Sequence, residues 1–430
     1  MEPSITVLAF TILWQVATAI QVTSINSYGA LADDPSVAAA VKNSQAISDA
    51  LQKAAPGSAV LVPADSKYYI FSVSAVGLKD VQLWVEGDLV AIANITAWPL
   101  DGDNCQNVLH FTNCTRLVMT GKGTIDGQGY RWWVECVFNF LQHGRPHLVY
   151  MENCTNVLVE NITMRNSPQF HLVTKHTNNF TVQNVLIWVD VTAQQKLLKS
   201  SPWKLPMFPL NTDGIDPSGT NILIQNVTIN NYDDAVAVKP GKINSEEGCT
   251  ENVTVNNAVV IHSVGMSIGS VPPNPDINCI RNVKISNVQF TSPFKAIYVK
   301  TNSGKGFGII DNIVYENISI HKPILWPIYI GPQQQKQPDG GGDGIWPPPQ
   351  PLVNVTNIIL RNVTSDGGWL NAGVLRCAAS NPCRGIIFEN VKVTGWASSF
   401  YTCENIHGSV TNSAPKPKCI VPDSDPTPDP

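Results

Sequence analysis

A short pattern, Asn-φ-x-φ-x-Asn-φ-x-φ with φ mostly apolar, recurs along the chain and limits the possible folds more than any other feature of the sequence. Apolar residues at every second position indicate β-strands that each have one buried face. Strands of a β-sandwich would follow one another about every 8–12 residues, whereas these copies lie more than about 20 residues apart, a spacing typical of solenoids. The copies begin at Asn156, Asn179, Asn221, Asn252, Asn282, Asn312 and Asn357, with a degenerate copy at Gly385. We therefore predict an all-β parallel β-helix in one elongated domain.

The recurring asparagines predict a ladder, in which the side-chain amide of one coil bonds to the asparagine of the next. Alternation of asparagine with β-branched residues also creates Asn-x-Ser/Thr sequons, so the sequons have a structural explanation besides glycosylation. Which of them carry glycan is left open by the sequence. They begin at Asn94, Asn113, Asn153, Asn161, Asn179, Asn226, Asn252, Asn317, Asn354 and Asn362.

The segments outside the repeats have distinct compositions. Residues 34–52 have the apolar spacing of a helix, which Pro56-Gly57 ends, and we expect this helix to cap the open N-terminal end of the solenoid. Residues 193–210 and 333–351 are insertions that could wall one end of a cleft. Residues 422–430 are rich in Pro and Asp and predict a disordered tail.

The N-terminus predicts export. Residues 5–16 are apolar and precede the small-residue site Ala17-Thr18-Ala19, which together resemble a secretory signal peptide spanning residues 1–19. No other run approaches the roughly 20 apolar residues of a membrane span. We expect a secreted, extracellular protein with no membrane partner, whose catalytic domain spans residues 20–421.

The cysteines agree with an oxidising compartment. There are ten, an even number, and none has the Cys-x-x-Cys spacing of a zinc site. We expect the bridges Cys377–Cys383 and Cys403–Cys419, because each closes a short loop. The pairing of the others is left open.

The charge balance restricts the partners. A net charge of −5, with only 14% charged residues, offers no basic face for a nucleic acid. A hydrophobic content of 43% over 430 residues is enough for a large core. Nothing in the sequence indicates an oligomer, so we expect a monomer.

Two acidic clusters flank one copy of the repeat. Asp213 lies in Asn211-Thr-Asp213-Gly, and Asp233 is followed directly by Asp234. If the intervening copy is one coil, the clusters lie above one another, roughly 4.7–4.9 Å apart per strand spacing. Paired carboxylates at close range are what acid–base hydrolysis of a glycosidic bond requires. The pattern predicts a glycoside hydrolase for an acidic plant polysaccharide.

Several short motifs, in order along the chain, resemble the polygalacturonase family of glycoside hydrolases, family 28, from about Val22 to Thr402. The motifs are Gly123-Thr-Ile-Asp-Gly-Gln-Gly-Tyr-Arg-Trp132-Trp133, Asn166-Ser-Pro, Asn211-Thr-Asp213-Gly, Asp233-Asp234 and Gly265-Met-Ser-Ile-Gly269-Ser. The resemblance implies a right-handed parallel β-helix, no metal or other cofactor, and inverting hydrolysis of galacturonate-containing pectin. Within the family the chain is most similar to fungal exo-polygalacturonases and exo-rhamnogalacturonases.

Carried onto this chain, the resemblance assigns the three carboxylates. Asp233 would be the general acid that protonates the leaving oxygen, while Asp213 and Asp234 would hold and deprotonate the attacking water. Clustered carboxylates repel one another, so one proton is retained and the pKa of that group rises.

The chain departs from the family at two motifs. The family's Gly-His-Gly is Ser263-Val264-Gly265 here, so the usual histidine is a valine. His262 lies two residues earlier and could partly replace it, although a plain structural histidine is the alternative that we favour. The family's Arg-Ile-Lys is Tyr298-Val299-Lys300 here.

The resemblance places four residues in substrate binding, namely Asn211, Lys239, Tyr298 and Lys300. Lys300 keeps a cation for a substrate carboxylate, and Tyr298 offers a stacking face in place of a guanidinium. Lys239 resembles a lysine of some exo-acting members, with a solvated strand-end lysine as an equal alternative.

These features together predict an exo-acting galacturonidase that removes terminal α-1,4-linked galacturonate from pectin, the galacturan 1,4-α-galacturonidase type. A rhamnogalacturonan hydrolase or rhamnohydrolase is the second enzymatic hypothesis. A pectin-binding pseudoenzyme that lost its activity with the histidine is the non-enzymatic one.

Overall fold

The computed structural model describes residues 20–138, 140–193, 209–335 and 347–422. The predicted signal peptide, nearly all of the predicted tail and the central parts of both insertions lie outside these residues.

The described chain is almost entirely β-structure, with two α-helices, α1 (Val37–Gln52) and α2 (Tyr130–Val137), and two 3₁₀-helices at Ile25–Tyr28 and Ile95–Ala97. The strands of its first half are β1 (Val22–Ser24), β2 (Ser58–Val62), β3 (Lys67–Ile70), β4 (Val73–Val76), β5 (Lys79–Val85), β6 (Asp88–Ala91), β7 (Leu100–Asp101), β8 (Asn104–Cys105), β9 (Leu109–Thr112), β10 (Thr115–Thr120), β11 (Thr124–Asp126), β12 (Val149–Glu152), β13 (Thr155–Glu160), β14 (Thr163–Arg165), β15 (Leu172–Lys175), β16 (Thr177–Gln183) and β17 (Leu186–Trp188). Those of its second half are β18 (Ile215–Asp216), β19 (Gly219–Asn230), β20 (Asp234–Val238), β21 (Gly241–Lys242), β22 (Thr250–Ile261), β23 (Gly265–Val271), β24 (Asn278–Thr291), β25 (Ile297–Thr301), β26 (Gly308–His321), β27 (Ile328–Gln333), β28 (Val353–Gly368), β29 (Gly373–Arg376), β30 (Cys383–Gly395), β31 (Tyr401–Glu404), β32 (Ile406–Thr411) and β33 (Ile420–Val421).

Apart from β7 and β8, which pair only with each other, these strands form two long sheets of 20 and 11 strands that face each other across one core. Their strands pair in parallel, except that the short β21 pairs antiparallel with β24. In the second half each coil contributes one long strand to the larger sheet, such as β22 or β24, and one short strand to the smaller sheet, such as β20 or β23. The architecture is a right-handed parallel β-helix, which confirms the predicted fold. Branched residues stack in register between coils, as in the column Ile222, Val253, Val283, Ile313 and Ile358.

The predicted asparagine ladder is present along the larger sheet. The ladder asparagines have left-handed backbone angles, with φ of 55° at Asn226 and 55° at Asn257, which turn the chain within each long strand. Asparagine tolerates this region better than other residues with a side chain. Its amide then donates to the preceding coil, as from Asn257 Nδ2 to Asn226 Oδ1 at 2.7 Å and from Asn390 Nδ2 to Asn362 Oδ1 at 3.0 Å. The sequons at Asn226 and Asn362 therefore coincide with ladder positions.

Helix α1 covers the N-terminal end of the core, as predicted. Ser36 caps it, because its Oγ accepts a hydrogen bond from the Ala39 N–H at 3.1 Å. Asn43 lies fully buried on its inner face and donates to the carbonyl oxygens of Leu31 and Tyr69 at 3.0 and 2.9 Å. None of the helices in the described part of the chain is long and apolar enough to cross a membrane.

Three disulfides are present. Both predicted bridges, Cys377–Cys383 and Cys403–Cys419, are confirmed, and a third joins Cys249 to Cys279 on adjacent coils. The remaining cysteines, which form no disulfide in the structure, are Cys105, Cys114, Cys136 and Cys154.

Candidate active site

The three predicted carboxylates meet at the N-terminal ends of two neighbouring strands of the smaller sheet: Asp213 and Asp233 lie on the turns before β18 and β20, and Asp234 is the first residue of β20. Asp213 lies two residues before Ile215 on β18, and Asp234 lies two residues before Val236 on β20. Ile215 pairs with Val236, so the two aspartates lie one coil apart. One oxygen of each of Asp213, Asp233 and Asp234 lies within 4.8 Å of the other two, and none of the residues is more than 3% exposed.

Backbone groups hold the Asp233 carboxylate. The Asn211 N–H donates to Asp233 Oδ2 at 2.8 Å, and the Asp234 N–H donates to Oδ1 at 2.8 Å. Asn211 has a φ of 55°, and its side-chain oxygen accepts from Arg145 Nη2 at 2.9 Å. These contacts make Asn211 a support for Asp233.

Lys300 and Ser267 single out Asp234 as the ionised member of the cluster. Lys300 Nζ donates to Asp234 Oδ2 at 2.5 Å, and Ser267 Oγ donates to Oδ1 at 2.6 Å. Burial alone would raise the pKa of Asp234, but Lys300, Lys239 and these hydrogen bonds outweigh burial and hold the pKa below its usual value.

The pKa values of the other two carboxylates move the opposite way. Burial and then the charge of Asp234 raise the pKa of Asp233, despite the opposing effects of Lys300 and two backbone hydrogen bonds. Burial, Asp216 and Asp233 raise the pKa of Asp213 well above its usual value. The cluster therefore joins two carboxyls that favour the protonated state to one that favours ionisation, which suits acid–base chemistry.

Lys239 lies on the side of the cluster formed by Asp213 and Asp216. Its Nζ is 3.6 Å from Asp213 Oδ2 and 3.2 Å from Asp216 Oδ2, and the side chain is 30% exposed. It also lies 5.3 Å from the ring centroid of Phe170. Burial raises the pKa of Asp216 to about 6, while Lys239 opposes this rise. Asp216 is a fourth carboxylate of the site, and it was not assigned from the sequence although it lies only three residues after Asp213.

Two buried residues that support the site were also missed. His171 is fully buried, accepts from the Ser167 N–H at 3.2 Å through Nε2, and is placed to donate from Nδ1 to the Asp213 carbonyl at 3.0 Å. Burial lowers its pKa to about 4, so it is neutral at physiological pH. Arg145 donates to the carbonyl of Leu210 at 2.8 Å as well as to Asn211. Neither residue belongs to a motif, and the contacts that link them to the site, from His171 to Asp213 and from Arg145 to Leu210, span 42 and 65 residues.

Val264 lies at the predicted histidine position, on the turn next to the acid. Its N–H donates to the Asp233 carbonyl at 2.8 Å, and its side chain packs against a small aromatic cluster that includes Tyr298, Trp326 and Tyr329. His262 stacks on Tyr232 with ring centroids 5.6 Å apart, and its Nδ1 lies 3.3 Å from Asn230 Oδ1. These contacts fit the structural alternative for His262.

Tyr298 lies on the outward side of β25, next to Lys300. Its ring is 2% exposed and meets Tyr329 edge-on at 5.1 Å. Lys300 Nζ lies 4.7 Å from the ring centroid, and Lys295 Nζ lies 4.2 Å from it. Because the ammonium groups of both lysines lie over its ring, Tyr298 would contribute to substrate binding by positioning these lysines.

The three carboxylates are also a set of oxygens that a divalent cation could contact. Lys300 already supplies positive charge to Asp234, and Lys239 supplies it to Asp213. Two lysines of the chain therefore already contact carboxylates of this set.

Fold and site together define a β-helix protein with a buried acid–base centre at the N-terminal ends of central strands of its smaller sheet. The family model of the glycosyl hydrolases, family 28, matches residues 54–415, and the chain belongs to that family.

Known proteins similar to the chain include plant and fungal members. It is 29% identical over 321 residues to polygalacturonase QRT2 of Arabidopsis thaliana, an alignment that covers 73% of this chain and 66% of that protein. It is 26% identical to a probable exopolygalacturonase B of Neosartorya fischeri, over 82% of this chain and 77% of that protein.

Among solved structures, the polygalacturonase of Erwinia carotovora superposes with a TM-score of 0.68 at 22% identity, covering 93% of this chain and 99% of that one. This likeness supports the fold. The narrower resemblance to fungal exo-acting enzymes stays a prediction, since plant polygalacturonases are similar to the chain at comparable identity.

Proposed function

We propose that the chain is a secreted exo-polygalacturonase that removes terminal α-1,4-linked galacturonate from pectin. The observation that carries this proposal is the cluster of Asp213, Asp233 and Asp234, whose oxygens lie within 4.8 Å of one another and whose pKa values move in opposite directions. Membership of family 28 supports the glycosidase activity. Three disulfides support an exported protein.

In the proposed mechanism Asp233 is the general acid. Its raised pKa keeps a proton available for the leaving glycosidic oxygen. Asp234 is the base that takes a proton from the attacking water, since its lowered pKa keeps it ionised. Asp213 holds that water through Oδ1, which is buried and has no hydrogen-bond partner within the described residues.

We propose inversion at the anomeric carbon. Inverting enzymes with two carboxyl groups keep them about 6.5–9.5 Å apart to leave room for a water, whereas the closest oxygens here lie within 4.8 Å. With three carboxylates, the water is shared between Asp213 and Asp234 while Asp233 faces the leaving group. Proton NMR of the first-formed product would then detect β-galacturonate, and initial release of the α-anomer would contradict inversion.

Exo attack is supported by the insertions at residues 193–210 and 333–351 and by similarity to a probable exopolygalacturonase. A rhamnogalacturonan hydrolase or rhamnohydrolase and a pectin-binding pseudoenzyme are the other outcomes of the test that follows.

The test uses oligogalacturonates and rhamnogalacturonan oligomers labelled at the reducing end, with products separated over time. Galacturonate monomer should appear from the first time points. Because general acid catalysis contributes about 10²–10⁴-fold, Asp233→Asn should lower kcat by that factor. The matched control Asp276→Asn, at an exposed aspartate, should leave kcat unchanged.

Each alternative has its own signature in this experiment. Released rhamnose would make the protein a rhamnohydrolase, and fragments of mixed length would make it an endo-acting enzyme. Binding without any product would make it a pseudoenzyme.

A further inference from the structure

One lysine near the site has no counter-ion. Lys295 lies on the turn before β25 and is 4% exposed. Within the described residues, no carboxylate lies within 4.0 Å of its Nζ and no hydrogen bond to it is formed. Its ammonium instead lies over two aromatic rings, 4.2 Å from the centroid of Tyr298 and 5.1 Å from that of Tyr329.

The other two lysines of the site are already paired. Lys300 bonds to Asp234 at 2.5 Å, and Lys239 lies within 3.6 Å of Asp213 and closer still to a second carboxylate. Each of these two lysines therefore has at least one carboxylate partner. Lysine 295 is therefore the site cation whose charge is left for a ligand, and a buried charge without a partner is costly until an anion arrives.

The register of the smaller sheet places this lysine in line with the proposed catalytic residues. Val236 pairs with Met266, and Met266 pairs with Ile297. Across a register shift Asp234 pairs with Gly265, so the residue level with Val264 is Asp233, whose carbonyl accepts from the Val264 N–H. Asp233, Val264 and Lys295 therefore occupy equivalent places on three successive coils. At roughly 4.8 Å per coil, the backbone of Lys295 lies about 10 Å along the helix axis from that of Asp233.

The residue at position 298 explains why the positive charge of Lys295 is important for substrate binding. The family pattern has an arginine where this chain has Tyr298, and the Lys295 ammonium lies over the ring of that tyrosine. The positive charge that is absent from position 298 is thus supplied from the preceding turn. We propose that Lys295 binds the carboxylate of a galacturonate unit beside the scissile bond and determines the preference for acidic over neutral sugars there. This inference rests on the proposed function.

The surroundings of Lys295 add a pH dependence to this binding. Burial and then the charge of Lys300 lower the pKa of Lys295 to about 7, while Asp234 and Asp233 oppose the shift. The rings of Tyr298 and Tyr329 that face it are neutral, because burial raises their own pKa values. The ammonium form is present below pH 7 and is lost above it, so substrate binding should weaken as the pH rises through about 7.

The experiment compares Lys295→Met and Lys295→Arg with the wild-type enzyme on oligogalacturonates and on their methyl esters. Loss of one charged hydrogen bond should raise KM roughly 10- to 100-fold, with kcat changed less than about threefold. Lys295→Arg should recover most of the affinity. The control Lys392→Met, at an exposed lysine, should match the wild type.

Two further readouts separate carboxylate binding from a structural role. On the methyl ester, wild type and Lys295→Met should have similar KM values, because the ester has no charge to bind. The increase of KM above pH 7 should be absent in Lys295→Met. Equal losses on acid and ester, or a loss in kcat alone, would overturn the assignment.

Failure of this inference differs from failure of the proposed function. If the wild type cleaves oligogalacturonate and Lys295→Met does so with the same KM, only the role of Lys295 is wrong. If the wild type neither cleaves nor binds any pectic oligomer, the proposed function is wrong and the role of Lys295 fails with it.

Discussion

Two adjacent aspartates of the same chemical type have pKa values that move in opposite directions. Asp234 receives Lys300 and Ser267 at 2.5 and 2.6 Å, which hold its pKa down. Asp233 receives backbone N–H groups and forms no ion pair with any residue that the structure describes, so burial and the neighbouring charge raise its pKa. The pKa values of the two aspartates differ because their contacts differ, and these contacts make Asp233 a proton donor and Asp234 a proton acceptor.

The pH profile of kcat/KM should therefore be bell-shaped. Activity should fall at low pH as Asp234 takes up a proton, below its usual pKa of 3.8, and at higher pH as Asp233 loses its proton, above 3.8. Lys300→Met removes the ion pair that keeps Asp234 ionised, so the acidic limb should move to higher pH.

Lys300→Arg keeps the charge and serves as the control, with an acidic limb close to that of the wild type. An acidic limb that stays in place in Lys300→Met would show that another group governs it.

The conformation and stability of each coil depend on its turn residues as well as on its buried apolar faces. Each long strand of the larger sheet passes through an asparagine with φ near 55°, such as Asn257, and continues on the far side. The same asparagine donates to the coil before it. One residue type thus supplies both the backbone conformation and the hydrogen bond between coils, which explains why asparagine recurs in the repeat.

Asn257→Ala tests these two contributions together. Alanine loses the bond to Asn226 and also strains the left-handed backbone, so the free energy of unfolding should fall by about 1–3 kcal/mol. Asn257→Gly loses only the bond, because glycine adopts this backbone without strain. Urea unfolding of the two variants should therefore place glycine above alanine in stability.

Equal stability of the Ala and Gly variants at this position would mean that backbone strain contributes nothing there. Neither substitution alters a sequon, since Asn257 is followed by Ala-Val.

At the scale of the whole molecule, a solenoid is held together by neighbour-to-neighbour contacts, and its ends and cross-links matter most. Helix α1 closes the N-terminal end of the core. Cys249–Cys279 joins two adjacent coils, while the bridges Cys377–Cys383 and Cys403–Cys419 lie in the C-terminal coils.

Removing each bridge by double alanine substitution should destabilise the protein in order of loop length. The loops span 30, 16 and 6 residues for Cys249–Cys279, Cys403–Cys419 and Cys377–Cys383. Chain entropy then predicts losses of roughly 3.6, 3.1 and 2.2 kcal/mol.

Calorimetric Tm values of the three variants, measured under the same conditions, should follow that order. A smaller loss for Cys249–Cys279 than for Cys377–Cys383 would contradict the entropic account.

The repeat determined the fold from sequence alone. Alternating apolar residues specify strands, the long period specifies coils, and asparagine specifies the turn, so the β-helix, its ladder and its capping helix were all predictable. The proximity of Asp213, Asp233 and Asp234 was predictable for the same reason, because one copy of the repeat separates them. These are consequences of local patterns repeated along the chain.

The tertiary structure decided which charges meet. Lys300 pairs with Asp234 across 66 residues, Arg145 supports Asn211 across another 66, and Lys295 is left without a carboxylate. The stacking of coils determines these side-chain contacts, because the loop lengths determine which turns lie next to each other. Burial then strengthens each of these interactions, because in a site without water the nearest opposite charge determines whether a carboxyl keeps its proton.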